Sequence, residues 1–529
     1  MFGRPVGPGV RGQFAAKRVR GEIHLAETAR IERLGFSFFA SAVAPNLRGS
    51  SGHRPLRCPH PRKTRWISVE DQMFHEHSLR EMNLRNSAIA LVITCLGSVQ
   101  LSLFAEQAAA VSSANNAVAA ATFLDSIGTL SAISKRGENL EKTIECCRYL
   151  GIRWLRAGIE GNVPLDEFIR LHKETGVRFS WGFGSGSSDI GKLIETARPV
   201  AAADALLAFE GPNEPNNWGI TYQGEAGGRG HSWMPVAKLQ RDLYQVVKSD
   251  PVLMKYPVWS ISEVGAETDN VGLQFLTIPE GANTLMPAGT KYADFANVHN
   301  YIYHPNSSHP ADNKTWNAAD PTAACKVDGL YGEYGTTWAH HYRGYSEKEL
   351  LDLPRVTTET GTTIGGEITE EMHGLNLLTM YLDQFKRGWS YTAVYLLRDR
   401  VDEGGNQKFG FYRPDYTPRP AAVYLHNLTT ILSDNRPAQP PGKLDYSIPA
   451  EPATVHDLFL QKSNGAFELL VWNEQLKGST PVKVNLGRTI ASLRIYHPIT
   501  SASSIQTLTS TDSVSLNMSN HPVVLELAP

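Results

Sequence analysis

The feature that most constrains this chain is an alternation of short apolar runs with helical stretches, sustained from residue 126 to residue 397. Ser126–Ala132 reads as a first strand, and Asn139–Leu150 as a helix closed by Gly151. Ile152–Ala157 is a second strand, Pro164–Glu174 a helix with Gly176 beyond it, and Val177–Gly182 a third strand. Ile190–Ala203 is helical, and Ala205–Glu210 runs as a fourth strand into Gly-Pro-Asn-Glu-Pro. A longer helix, Val236–Ser249, leads to a fifth strand at Pro257–Ile261. Ala293–Asn300 and Arg355–Glu359 are the sixth and seventh strands, Ile368–Arg387 a helix, and Tyr391–Leu397 the eighth strand. Strand then helix, repeated in this way, predicts an α/β chain folded as a (β/α)8 TIM barrel over 123–435. A doubly wound sheet shares the alternation, but within 126–397 no Gly-x-Gly-x-x-Gly turn is present to hold a dinucleotide.

Beyond Leu432 the texture changes. Pro437, Pro440, Pro441 and Pro449 mark an irregular crossing, and seven short β-rich runs follow: 457–461, 466–472, 482–486, 492–496, 504–509, 513–518 and 523–527. Separated by Gly, Asn, Ser and Asp, they predict a C-terminal antiparallel β-sandwich over 450–529. With no aromatic platform legible in it, it is read as a buttress on the barrel.

The other end of the chain is of a different kind. Residues 1–81 carry 14 Lys and Arg against 7 Asp and Glu, and are rich in Pro and Gly without periodicity. From Met82 the sequence reads as a short basic start, an apolar run from Ala88 to Ala105, and Ala108-Ala109-Ala110, the layout of a secretory signal. The expectation is that translation starts at Met82, that 82–110 is a signal peptide and 111–122 a linker, and that the mature protein is secreted or periplasmic. A basic extension followed by a membrane anchor is the competing reading, although the apolar run is broken by Thr94, Ser98, Gln100 and Ser102. After cleavage no stable membrane association is expected. The formal charge of −2 gives no reason to expect nucleic acid as a partner, and oligomeric state stays open. Cys146, Cys147 and Cys325 allow one bridge, from Cys325 to either neighbour, and spacing does not choose.

In a (β/α)8 barrel the reactive groups stand at the C-terminal ends of the strands. The fourth strand ends in Glu210-Gly211-Pro212-Asn213-Glu214-Pro215-Asn216 and the seventh in Thr357-Thr358-Glu359-Thr360. Closure brings Glu214 and Glu359 to one mouth, the pairing of carboxyls that glycosidic bond hydrolysis requires. These placements resemble the large clan of retaining (β/α)8 glycosidases, with an acid/base after Asn at the end of strand four and a nucleophile ending strand seven. The wording around Asn-Glu-Pro is nearest in flavour to family 39 and its unclassified relatives. The resemblance covers residues 123–430 and implies a glycoside hydrolase acting on β-linked poly- or oligosaccharides by double displacement, with Glu214 as acid/base and Glu359 as nucleophile.

It also implies supporting residues. Asn213 is expected to bond the sugar 2-hydroxyl, Tyr301 to donate to Glu359, and His299 to line the site. Arg156, ending strand two, is expected either to hold Glu359 ionised or to form a structural pair. The clan's strand-eight Trp has no counterpart, since that strand reads Tyr395-Leu396-Leu397-Arg398, so Tyr395 or Arg398 is expected at that floor. Trp181, Trp218, Trp233, Tyr303 and Trp316 are candidate subsite walls, two or three of them expected to touch ligand. Glu263 and Glu333 are competing carboxylates without an Asn-Glu-Pro context. Asp399, Asp402 and Glu403 are read as a solvated loop, not a calcium site. Outside the basic leader, where His75-Glu76-His77 stands, no His-x-His or His-Glu-x-x-His cluster points to a metal, and nothing calls for a cofactor. A transglycosylase using the same residues and a non-catalytic carbohydrate-binding barrel are the alternatives.

Overall fold

The computed structural model describes residues 115–157, 162–263, 271–303, 309–325, 341–402, 408–434 and 440–529. The basic leader, the signal segment, Glu333 and Glu403 lie outside the described residues. Eight parallel strands form the central sheet: β1 (Ile127–Leu130), β2 (Trp154–Ala157), β3 (Arg178–Gly182), β4 (Leu206–Glu210), β5 (Val258–Trp259), β6 (Ala296–His299), β7 (Arg355–Thr360) and β8 (Trp389–Val394). Their order follows the chain, and β8 pairs with β1. A parallel bridge between Trp259 and Phe295, with Ser260 N donating to Phe295 O at 2.9 Å, joins β5 to β6 and closes the barrel.

Between and after the strands run α1 (Leu140–Leu150), α2 (Leu165–Thr175), α3 (Ile190–Ala202), α4 (Met234–Ser249), α5 (Glu347–Asp352), α6 (Glu370–Lys386) and α7 (Pro420–Ile431), of which α5 and α7 were not read from the sequence. The caps are the ones the sequence carries. Asn139 accepts from Lys142 N at the start of α1, and Gly151 ends that helix in the left-handed region. Every barrel strand is nearly continuously buried, as expected where the barrel lumen covers one face and helices the other.

The lumen is filled in layers. The lower one is aromatic, with Trp154 meeting Trp259 and Tyr391 edge-on at ring-centroid distances of 5.5 and 5.9 Å. A Cβ on Gly128 would lie 2.2 Å from the Trp154 ring, so the indole occupies the space a side chain there would need. Above it sits a polar layer of Arg156, Glu210, Asn297 and Thr358, all fully buried.

The C-terminal part is an antiparallel sheet of β9 (Val455–Gln461), β10 (Phe467–Asn473), β11 (Thr480–Tyr496), β12 (Gln506–Met518) and β13 (Pro522–Leu527) around its own apolar core. Four of the predicted short strands are thus two long ones. The register of β11 and β12 shifts between Asn485 and Ile490, where Gly487 has φ 68° and its Cα packs against Asp445 O. That bulge bends the sheet over its own core and looks like a turn in the sequence. Within the expected linker, Val118–Ala119 instead pairs with Leu460–Gln461, and Asn115–Asn116 with Lys443–Leu444.

Barrel and sheet meet through Asp383 of α6 and Glu474 just after β10. The two buried carboxyls share a hydrogen bond, Trp472 Nε1 donates to Asp383 Oδ1 at 2.9 Å, and Thr315 N and Trp316 N donate to Glu474 Oε2 at 3.1 Å each. Cys146, Cys147 and Cys325 are buried, and among the described residues no disulfide joins Cys325 to either neighbour. Among the described residues no helix is long and apolar enough to cross a membrane.

Candidate active site

Glu214 and Glu359 come together at the C-terminal mouth. Beyond β4 the chain leaves the barrel through Asn213, which bridges to Ser262, and Glu214 N donates to Ser262 O at 3.0 Å. Glu214 itself has φ 41°, a left-handed conformation that a side chain adopts only where the surroundings impose it. Pro215–Trp218 then forms a single helical turn. Glu359 is in register with His299 across the β6–β7 pairing.

Both carboxyls are almost fully buried. An oxygen of each and a ring nitrogen of His299 all lie within 4.8 Å of one another, and among the described residues no other three groups converge in this way. His299 Nδ1 stands 2.6 Å from Glu214 Oε1 and 3.5 Å from Glu359 Oε2, and Asn217 Nδ2 donates to Glu214 Oε2 at 2.9 Å. On the other side, Tyr301 OH donates to Glu359 Oε2 at 2.6 Å and Arg156 Nη1 bonds Glu359 Oε1. A guanidinium already on one of the three groups, and hydrogen bonds on the others, suit proton chemistry better than a cation there.

Arg156 has more than the one partner. Its Nε lies 3.0 Å from both oxygens of Glu210, its Nη2 2.5 Å from Glu210 Oε1 and 2.7 Å from Asn213 Oδ1. The two readings left open for it, an ion pair and a contact to Glu359, are therefore both realised. Asn213 Nδ2 donates to Ser185 Oγ at 3.0 Å, which orients the amide beside Glu214.

Burial raises the pKa of both carboxyls. For Glu214 the bond from Asn217 and the charge of Arg156 oppose this. For Glu359, His299, Arg156 and Tyr301 pull the other way while Glu214 adds to the rise. Burial also holds His299 at about 4, so its imidazole is neutral near pH 7.

The aromatic candidates divide. Trp218 is 60% exposed and close enough to Glu214 to act on its carboxyl, so an open ring stands at the rim beside that residue. Tyr395, the residue after β8, packs against Tyr301 at 6.2 Å between ring centroids. Trp181 does not reach the mouth. Ser180 faces inward to Glu210, so its neighbour faces out, and Trp181 packs on Phe168 and donates to Thr196 Oγ1 at 3.1 Å. Trp316 lies at the barrel–sheet junction, stacked on His456 at 3.9 Å under the Arg387 guanidinium. Tyr303 is buried with its hydroxyl on Ala311 N, and Trp233 packs on the main core at the start of α4.

Arg398 turns to Pro414 O and the Tyr416 ring, leaving Tyr395 as the strand-eight residue at the site. Glu263 is buried 2.5 Å from His341 Nδ1. Asp399 is not solvated: it is buried against Arg419, whereas Asp402 pairs with Arg136 at the surface. The sequence reading assigned no role to Glu210, Thr358 or Asn217. Glu210 was detectable as an acid four residues before Glu214, at the end of a strand separated by only one other from the strand that carries Arg156.

No protein-family model matches the chain, and no curated protein does. Solved structures do. A family 39 glycoside hydrolase from the gut symbiont Bacteroides cellulosilyticus WH2 aligns with a TM-score of 0.50 at 15% identity, over 78% of this chain and 82% of its own. A GH39 β-xylosidase from Caulobacter crescentus aligns at 0.46 and 14% identity, over 79% and 98%. The GH51 arabinofuranosidase from Xanthomonas axonopodis pv. citri aligns at 0.47 and 12% identity, over 79% and 98%. The likeness to the family 39 structure is one of overall fold, as the resemblance read from the sequence led one to expect.

Proposed function

We propose that this protein is a retaining glycoside hydrolase acting on β-linked poly- or oligosaccharides. The observation that carries the reading is the convergence of Glu214 and Glu359, whose carboxyl oxygens approach within 4.8 Å at the barrel mouth. Retaining enzymes hold their two carboxyls about 5 to 5.5 Å apart, whereas an inverting site opens to about 6.5 to 9.5 Å to admit a water.

The surroundings divide the roles. Glu359, with Arg156 on one oxygen and the Tyr301 hydroxyl on the other, is the carboxylate. Glu214, with no cation in contact and burial against its charge, is the acid. In the first step a Glu359 oxygen attacks the anomeric carbon, the bond to the leaving oxygen breaks, and the Glu214 proton passes to that oxygen. In the second, water attacks the same carbon, gives its proton to Glu214, and Glu359 leaves as a carboxylate. The exposed Trp218 ring beside the acid supports a sugar, not a small alcohol, on the leaving-group side. Secretion, with translation from Met82 and removal of 82–110, goes with an extracellular polysaccharide substrate.

The test is a polysaccharide and aryl glycoside panel run with the wild type, Glu359→Gln and Glu214→Gln. Glu359→Gln is expected to be inactive throughout. Glu214→Gln should lose roughly 10²- to 10⁴-fold on substrates with poor leaving groups and far less on activated aryl glycosides. Equal product release by wild type and Glu359→Gln would refute the assignment.

A further inference from the structure

Beneath the two carboxyls lies a chain of hydrogen bonds whose direction can be worked out by counting hydrogens. Thr358 Oγ1 has four polar neighbours: Glu210 Oε1 at 2.8 Å, Asn297 Nδ2 at 3.0 Å, His299 Nε2 at 3.1 Å and Asn297 Oδ1 at 3.2 Å. A hydroxyl has one hydrogen to give. Glu210, held face-on by Arg156, only accepts, and it is the shortest of the four contacts. The Thr358 hydrogen therefore goes to Glu210, and its lone pairs receive Asn297 Nδ2–H and His299 Nε2–H. With its one hydrogen on Nε2, neutral His299 presents a bare Nδ1 toward Glu214 Oε1 at 2.6 Å. Two acceptors do not sit at that distance, so the hydrogen between them belongs to Glu214. The reverse tautomer would turn the Thr358 hydrogen toward Nε2 and leave two bare oxygens 2.8 Å apart at Glu210.

We propose that Thr358 and Glu210 are positioning residues that fix His299 as its Nε2–H tautomer, so that Nδ1 accepts from Glu214 and keeps that carboxyl protonated until the leaving oxygen arrives. This rests on the proposed hydrolase reading. The arrangement serves both steps, because a Glu214 carboxylate facing a nitrogen lone pair is a stronger base toward water. The groups facing Glu214 enter this balance from every side: Arg156 from β2, Glu210 from β4, His299 from β6 and Tyr301 just beyond it, Glu359 from β7, and Asn217 and Trp218 from the turn that follows Glu214. His299 can change from acceptor to donor without gaining charge, by moving its hydrogen from one nitrogen to the other.

The test uses the full chain with 15N-labelled histidine, the His299 signals being assigned by their loss in His299→Gln. Wild type and Thr358→Ser should show a pyrrole-type Nε2 and a pyridine-type Nδ1. In Thr358→Val, Nε2–H loses its acceptor, the hydrogen moves to Nδ1, and the Glu214 carboxylate gains a donor. The basic limb of kcat/KM should then move down by about one pH unit, with Thr358→Ser restoring it. A protonated Nδ1 in the wild type overturns the proposal, as does a basic limb unmoved in folded Thr358→Val. If no glycoside is turned over but the wild type carries Nε2–H, the relay stands and the hydrolase reading falls.

Discussion

Replacing Tyr301 by Phe removes one atom from the site, and its consequence can be sized. The hydroxyl donates to Glu359 Oε2 at 2.6 Å in a buried setting. A hydrogen bond to a charged group contributes about 1.5 to 3 kcal/mol. At 1.36 kcal/mol per unit, losing it raises the Glu359 pKa by about 1 to 2 pH units. The sign follows from the role: the donor favours the ionised form, burial already lifts this carboxyl, and the nucleophile must be ionised to attack. The acidic limb of kcat/KM should therefore move to higher pH by that amount, the activity lost at low pH returning as pH rises. The ring keeps its contacts with Phe409 and Tyr395, at 5.4 and 6.2 Å between centroids, so Tm should stay close to wild type. The assay is a kcat/KM profile on an aryl glycoside, with Tm measured at each pH. An acidic limb that stays in place, or moves down, would refute the assignment of charge to Glu359.

Two further outcomes follow from the same structure. At the barrel–sheet junction burial raises both Asp383 and Glu474 above the ordinary carboxyl range, so the pair is most stable while it shares a proton and loses stability as pH rises through those raised values. Glu474→Gln, which keeps a hydrogen bond without the second charge, should flatten the decline of Tm toward alkaline pH; an unchanged decline would contradict a shared proton. Trp218→Ala should raise KM for oligosaccharides with little change in Tm, and Trp316→Ala should lower Tm by several degrees with KM unchanged; the opposite pattern would reverse their placement.

What the sequence disclosed, and what it hid, can be traced to particular residues. The alternation of strands and helices was legible because parallel strands buried on both faces leave continuous apolar runs, with caps such as Asn139 and Gly151 between them. Glu214 was legible from its own tripeptide, and Glu359 from strand order. Trp181 was misplaced because a position near a strand end does not say which face it takes; the inward Ser180 next to it decides. Trp316 was misplaced because the loop that carries it crosses to the sheet, a contact set by residues well over a hundred positions away. The bulge at Gly487 passed for a turn because both use a glycine with positive φ. Thr358 gave no signal at all: one inward hydroxyl in a strand means nothing until its four neighbours are known.

The central claim is that Glu359 forms the covalent bond to sugar. The measurement that tests it most directly is trapping with a slow-turnover 2-fluoro glycoside of whichever sugar the panel identifies, followed by peptide mass spectrometry. The account predicts one added glycosyl group per chain, on the peptide containing Thr358-Glu359-Thr360, and no label in Glu359→Gln. Label on another carboxyl, or turnover that proceeds with no trapped ester and with inverted product, would contradict it.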